Sequence, residues 1–475
     1  MSNLIVHGGT PLRGRITPSA NKNAVLPVLC ATLLTREPLR LLGVPDITDV
    51  RKILDIFRTL GSHVQWDHAE GTLELHHDAT CFDAAAHRLP EEMRSSIMLV
   101  PPLLARFGVA RLEDNVKGCT LGVREIDPHV EVFRSFGASV ERAEGSLLVR
   151  GPAAAPAALR PTDHWLDYAS VTTTENFVLC AAGAQGVSTL TNAACEPHVQ
   201  EFCRFMALLG VRIDGIGTSR LTVHGGAALG GGEFRFDEDF HEITTFLALG
   251  AITGGEVIVK NSAPENFPLI DRTFAKFGVR IVHEGGWSRA VPGGPLKVQT
   301  PFTSNVLTKV EAAPWPYFPV DLLPIFIALG VRAEGNALFW NKVYDGALGW
   351  TGELSKFGAH VFSSDPHRIV TFGGGPLGDP PCGAHPPRAS ALRGKPAQPG
   401  RAGGMDQRRL SAAARPAASP QLLSPSALRP RCPMAAAAPS GRRPRAGAAR
   451  PGPSGGPAAG GAASPAAAPW WPARR

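Results

Sequence analysis

Eight cysteines occur in the 475 residues, at 30, 81, 119, 180, 195, 203, 382 and 432, yet none stands in a Cys-x-x-Cys pair or with paired histidines at zinc-ligand spacing. That argues against a structural metal and for a reducing compartment. No apolar run approaches the roughly 18 residues that a membrane-spanning helix needs. The opening stretch MSNLIVHGGTPLRG lacks the charged start, long apolar centre and small-residue cleavage site of a secretion signal, so a cytoplasmic protein without membrane association is expected. No G-x-x-x-x-G-K-[ST] occurs, which sets phosphate-loop nucleotide hydrolysis aside. The last 97 residues, 379–475, contain no Val, Ile, Phe, Tyr or Glu. Ala, Pro, Gly, Arg and Ser cannot bury enough apolar surface to offset chain entropy, so this tail is expected to be disordered. It also holds the positive charge. The whole chain carries +7, but the tail has 15 Lys and Arg against 2 Asp, or +13, which leaves residues 1–378 at −6. The folded part is acidic and does not look like a nucleic-acid binder.

What is present is a repeat. An apolar helical stretch ends in an aromatic residue or Leu followed by Gly, then an alternating strand, five times: IFRTLGSHVQWD, VFRSFGASVERA, FMALLGVRIDGI, TFAKFGVRIVHE and LSKFGAHVFSS. Gly61, Gly137, Gly210, Gly278 and Gly358 are separated by 76, 73, 68 and 80 residues. Glycine at that place supplies the left-handed residue that ends a helix. Each copy also has an earlier helix that runs into a short strand, as in NAVLPVLCATLLTREPLRLLGVP, NFVLCAAGAQGVSTLTNAA and LLPIFIALGVRAEGNALFWNK. Apolar residues cover most of its circumference, which predicts burial, whereas the second helix of each copy is amphipathic. The unit is therefore helix, strand, helix, strand, with another strand before the next copy, and α/β layers around central helices follow.

By the same spacing a sixth copy would place its buried helix near residues 385–405 and its glycine near 432. HPPRASALRGKPAQPGRAGG and ALRPRCPM stand there instead, and Pro and Gly at that density form no such helix. Five complete units and a missing sixth are expected. The residues that dominate the tail, Ala, Pro, Gly and Arg, have codons beginning with two G or C bases, so it reads as out-of-frame translation of GC-rich DNA. A basic tail that binds nucleic acid is the competing reading; Lys395 and the Trp470-Trp471 pair are slender support for it.

The repeat, with SANKNAVLP, EEMRSSI, the stretch NVKGCTLGVREIDPH and YFPVDL, resembles the UDP-N-acetylglucosamine 1-carboxyvinyltransferase family of enolpyruvyl transferases, from about residue 4 to about residue 378. The resemblance implies a two-domain inside-out α/β barrel of βαβαββ units with its active site in the cleft between the domains. Residues 22–232 would form one domain, and 1–21 with 233–378 the other, short of its third unit. It also implies a reaction: the enolpyruvyl group of phosphoenolpyruvate passes to the sugar 3′-hydroxyl of UDP-N-acetylglucosamine and phosphate is released, in peptidoglycan precursor synthesis. Those two small molecules would be the partners, and no metal or organic cofactor is implied.

Phosphoenolpyruvate brings a carboxylate and a phosphate into one small space, so several fixed cations must neutralise it, and arginine grips either group with a bidentate fork. Carried over position by position, the resemblance gives Lys22, Arg94 and Arg124 to phosphoenolpyruvate and Asn23 to the sugar. Cys119 matches a loop cysteine that serves as general acid and can add to the substrate, in keeping with a thiol whose pKa falls beside cations. Asp321 matches the base that takes the attacking hydroxyl's proton. An aspartate following Phe-Pro also reads as a helix N-cap, and both readings stand. Asp127, His129, Ser170, Val171 and Thr172 match the uridine contacts, and Val343 completes the substrate-binding set.

The departures are specific. Ala20-Asn21 replace the family's usual Gly-Ala before Lys-Asn, Val116-Lys117 replace Pro-Gly before Gly-Cys, and Ala347 stands where a site arginine is usual. The arginines of the sixth unit have no counterpart, since Arg388 in PRASAL follows two prolines. These losses sustain an alternative, a relative that binds a nucleotide sugar or a partner without turnover. The related shikimate-phosphate enzyme fits less well, because it pairs Lys with Ser where this chain has Lys22-Asn23, and it has no cysteine loop.

Overall fold

The computed structural model describes residues 7–84, 89, 93–113, 125–143, 145–152, 159–303 and 305–378, all within one compact unit. The tail at 379–475 lies outside the described residues. The chain opens with β1 (Arg13–Ile16), then α1 (Lys22–Thr32), β2 (Leu39–Leu42), α2 (Thr48–Thr59), β3 (His63–Asp67) and β4 (Thr72–His76). The second copy has α3 (Val100–Phe107), β5 (Val109–Glu113), α4 (Asp127–Ser135), β6 (Ser139–Ala143) and β7 (Ser146–Arg150). The third has β8 (Asp163–Trp165), α5 (Val171–Gly183), β9 (Gly186–Thr191), α6 (Pro197–Leu208), β10 (Arg212–Asp214) and β11 (Arg220–Gly225). In the fourth come β12 (Gly232–Arg235), α7 (Phe240–Thr253), β13 (Glu256–Lys260), α8 (Pro268–Ala275), β14 (Val279–Glu284) and β15 (Trp287–Pro292). The fifth has β16 (Thr308–Ala312), α9 (Leu323–Arg332), β17 (Gly335–Asn341), β18 (His360–Asp365) and β19 (Arg368–Gly373).

The five repeat glycines all take the left-handed conformation, with φ of 91°, 88°, 103°, 79° and 79° in chain order. Each ends the second helix of its copy and turns the chain into the hairpin. In the fifth copy that helix is a 3₁₀ helix, Gly349–Phe357, and it buries only Thr351. Two glycines, Gly349 and Gly352, weaken the α form there, and so small a buried face cannot restore it.

Each copy contributes one open sheet, five in all among the described residues. Four of them share one pattern, a parallel pair continued by an antiparallel hairpin: β8-β9-β11-β10 and β16-β17-β19-β18 are built from their own copies. The first and fourth copies exchange a strand. β1 lies parallel to β13, pairing Arg13 with Glu256, and β12 lies parallel to β2, pairing Gly232 with Leu39. The chain thus begins in the lobe to which it returns after three copies. Two hydrophobic cores follow, one running from Ala24 to Phe236 and the other from Phe240 to Ile369.

Helices fill the inside and sheets the outside. Along α1 every residue from Ala24 to Thr32 is buried, and along α5 every residue from Thr173 to Ala182, the polar Thr173, Thr174, Glu175 and Asn176 included, so the central helices are enclosed all round. The corresponding α7 is less enclosed, with Phe246, Leu249 and Ile252 only half-buried. Among the described residues no helix is long and apolar enough to cross a membrane.

Candidate active site

The strand exchange brings two connecting segments together, residues 17–21 and 236–239. Ala20 and Glu238 form an antiparallel bridge, the Asp239 N–H donates to the Ser19 carbonyl at 2.8 Å, and the Asn21 N–H to the Asp237 carbonyl at 3.4 Å. Helix α1 starts from this ribbon. Asn21 is its N-cap and its Oδ1 accepts the Asn23 N–H at 3.0 Å, so the departure at this position supplies a cap that alanine could not. Lys22 is the exposed first residue of the helix and Asn23 is half-buried.

Helix α7 starts from the other strand of the ribbon. Asp239 caps it, accepting the His241 N–H at 2.8 Å, and the same Oδ1 lies 2.9 Å from Nδ1 of the His241 ring. The opposite ring nitrogen, Nε2, is 3.9 Å from Oδ2 of Asp321. Asp321 belongs to the 3₁₀ turn Val320–Leu322, whose cap is Pro319, and no side chain caps this turn or α9. The N-cap reading of Asp321 therefore falls, and its half-exposed carboxylate is free for other work. Lys22 lies close enough to His241 for its charge to oppose protonation of the ring.

A second cluster joins the starts of α4 and α5. Asp127 is the first residue of α4, with Pro128 behind it, and His129, the third residue, is buried within the first turn. The His129 ring takes a hydrogen bond from Asn176 at Nδ1, 2.8 Å away, and Nε2 lies 3.4 Å from the Thr172 hydroxyl. Ser170 precedes α5 and bonds Thr173 through its hydroxyl at 2.8 Å, while Val171 opens the helix. Two helix N-termini meet here, a place suited to an anionic or strongly polar ligand.

A family profile described as EPSP synthase (3-phosphoshikimate 1-carboxyvinyltransferase) matches residues 6–373. A UDP-N-acetylglucosamine 1-carboxyvinyltransferase from Bradyrhizobium diazoefficiens is 36% identical over 369 residues, which is 78% of this chain and 84% of the relative. One from Borrelia garinii is 33% identical over 378 residues, covering 79% and 86%. The chain belongs to this family of enolpyruvyl transferases. Among solved structures the enolpyruvyl transferase NikO from Streptomyces tendae superposes with a TM-score of 0.67 at 22% identity, over 78% of this chain and 84% of that one, and so shares the fold.

In this enolpyruvyl transferase, Lys22, Asn23 and Asp321 stand around the ribbon, and Asp127, His129, Ser170, Val171 and Thr172 form the second cluster. Val343 follows β17, its N–H donating to Asn341 Oδ1 at 2.9 Å. Cys119 and Arg124 lie outside the described residues. Arg94 heads the 3₁₀ helix Arg94–Leu99, and its side chain also lies outside what is described.

Sequence reasoning missed two groups. Asn176 fixes the His129 ring and could have been found one turn along α5 from Thr172. The other is an acidic belt beside the ribbon. Burial pushes the Glu175 carboxyl well up, with the Glu196 charge adding to it, and burial likewise raises Glu196. The Trp315 N–H, from the other lobe, donates to Glu196 Oε1 at 3.3 Å, and the Cys195 thiol donates to the Trp315 carbonyl. These residues come from distant copies and share no motif.

Proposed function

We propose that this enzyme transfers the enolpyruvyl group of phosphoenolpyruvate to the 3′-hydroxyl of UDP-N-acetylglucosamine and releases phosphate, in the cytoplasm, as a step of peptidoglycan precursor synthesis. The observation that carries the reading is the 36% identity, over most of both chains, with a relative named for that reaction. The five described cysteines, Cys30, Cys81, Cys180, Cys195 and Cys203, are free thiols, as a reducing compartment allows.

In the proposed site Lys22, Arg94 and Arg124 neutralise the phosphate and carboxylate of phosphoenolpyruvate, and Asn23 orients the sugar. Asp127, His129, Ser170, Val171 and Thr172 hold the uridine end, and Val343 joins the substrate contacts. Asp321 takes the proton of the 3′-hydroxyl as its oxygen bonds to C2, while the electron pair of the double bond takes a proton from Cys119 at C3. In the second half C3 returns a proton to the Cys119 thiolate, the double bond re-forms, and the C2–O bond to phosphate breaks with its electron pair, the phosphate taking up the proton held by Asp321. Phosphate leaves and the enolpyruvyl ether remains. The domain division proposed with this site is 22–232 against 1–21 plus 233–378, the tail at 379–475 standing outside both.

The test uses the full chain with both substrates, reading phosphate release and the mass of the sugar nucleotide. Release that requires UDP-N-acetylglucosamine, together with its enolpyruvyl ether, is expected. Release with shikimate 3-phosphate as the acceptor instead, or with neither acceptor, overturns the reading.

A further inference from the structure

His241 is the second residue of α7, and its ring packs against that of Phe240, with centroids 3.9 Å apart. The ring is anchored at one end and faces a carboxylate at ion-pair distance from the other. Nδ1 sits 2.9 Å from Asp239 Oδ1, and that oxygen is itself fixed by the His241 N–H at 2.8 Å, so carboxylate and ring form one rigid piece at the start of α7. A carboxylate placed this way accepts, so Nδ1 carries a hydrogen and the remaining nitrogen, Nε2, is the one aimed at Asp321 Oδ2, 3.9 Å away. The Asp239 and His241 side chains are 13% and 17% exposed and Asp321 is 48% exposed, so a sheltered pair backs a solvent-exposed carboxylate.

We propose that His241 is the positioning residue for Asp321: anchored through Nδ1 by Asp239, it presents Nε2–H to the Asp321 carboxylate and holds that group where it takes the acceptor hydroxyl's proton. The inference rests on the transferase reading for the role of Asp321, but the Asp239–His241–Asp321 arrangement stands without it. The surrounding charges agree. Burial alone would lower the His241 pKa, but Asp239, through charge and hydrogen bond, and Asp321 outweigh it and raise the value, while Lys22 from α1 opposes them. His198 of α6 has its ring centroid 6.3 Å away and stays neutral, burial first and the His241 charge second pushing it down to about 3. Asp239 is held below the usual carboxylate range because His241 overcomes the cost of burying it.

Below its raised pKa His241 is an imidazolium with both nitrogens protonated; as pH rises through that value Nε2 loses its hydrogen and the hold on Asp321 is released. Two measurements on the full chain test this. The first follows the ¹⁵N-imidazole resonances against pH, the His241 signal being the one lost in His241→Gln. A titration midpoint above the ordinary value of about 6.5 is expected, falling in Asp321→Asn and falling further in Asp239→Asn. A midpoint that Asp321→Asn leaves unmoved overturns the proposal, whether or not the enzyme turns over. The second is the pH profile of kcat. The unaltered enzyme should lose activity as pH rises through the His241 midpoint, whereas His241→Gln should be roughly 10-fold slower or worse, with KM nearly unchanged and that limb absent. Persistence of the limb in His241→Gln also overturns the proposal. Absence of any transfer by the unaltered chain counts against the transferase reading, and the resonance titration still decides the pairing.

Discussion

Replacing Glu201 by Gln should stabilise the protein at neutral and alkaline pH and leave it unchanged in acid. Glu201 lies on α6 and is 3% exposed, and its Oε1 accepts the Asp237 N–H at 2.7 Å, at the edge of the ribbon between the lobes. Burial pushes its carboxyl up to about 8, against the pull of that N–H and with Asp237 and Arg204 acting in opposite directions. In the unfolded chain the same group titrates near 4.3. Because the folded value is raised, the contribution is fully present below about pH 4 and is lost as pH climbs towards about 8. At about 1.4 kcal/mol per pH unit the loss is on the order of 4 kcal/mol by pH 7. Glutamine keeps the Oε1 acceptor and carries no charge at any pH. Urea unfolding of both proteins at pH 4, 6, 7 and 9 should show curves that coincide in acid, separate through neutrality and run parallel above about pH 8. A constant difference across the series, or a less stable glutamine variant at pH 9, would mean that the buried carboxylate is ionised and held by Arg204, and the reasoning from burial fails.

Asp321→Asn should lower kcat by roughly 10²–10⁴-fold with nucleotide-sugar affinity altered only a few-fold, read by phosphate release and calorimetry; an unchanged kcat removes Asp321 from the reaction. Burial raises the thiols of Cys195 to about 11 and of Cys203 to about 12, and those of Cys30 and Cys180 higher still. Iodoacetamide at pH 8 should therefore label only the exposed Cys81 among the five described cysteines, and mass spectrometry should show both substrates protecting Cys119 but not Cys81. An alanine Cβ at Gly225 would stand 1.9 Å from the Ala181 carbonyl oxygen and one at Gly373 2.1 Å from that of Gly330, so either Gly→Ala change should cost on the order of 2–3 kcal/mol in urea unfolding. Gly349→Ala, with nothing within 4 Å, should be neutral or slightly stabilising.

The repeat was legible because the copies solve the same local problem: a central helix that is largely apolar, a second helix with one buried face, and a glycine whose left-handed turn starts the hairpin. Gly225 and Gly373 show the same problem solved twice, each ending a hairpin strand against the carbonyls of a central helix. Periodicity could not show that β1 belongs beside β13, more than 240 residues away, because parallel pairing leaves no mark on either strand. The 3₁₀ form of the fifth copy's second helix was written in Gly349 and Gly352, but the pattern of its neighbours masked it. In the proposed site, Lys22, Asn23 and Asp321 rest on motif resemblance, which says nothing of their surroundings. A lone histidine in FHEITTFLALG reads as a core residue, and only the folded chain places it between Asp239 and Asp321. Asp321 itself followed Phe-Pro as a cap would, yet the 3₁₀ turn takes its start from Pro319, leaving the carboxylate unspent.

The exchanged strands alter what a break in the chain can do. The lobes are joined by two covalent tethers, near residues 17–21 and 236–239, and these are zipped to each other by the Ser19–Asp239 and Asn21–Asp237 hydrogen bonds. A protease that nicks one tether leaves the other intact, and the cut ends remain clipped in neighbouring sheets by the β1–β13 and β12–β2 ladders. Two antiparallel straps bonded side by side also resist sliding and sideways drift far better than one. The straps meet at the bridge between Ala20 and Glu238, beside the helix starts that carry Lys22 and His241.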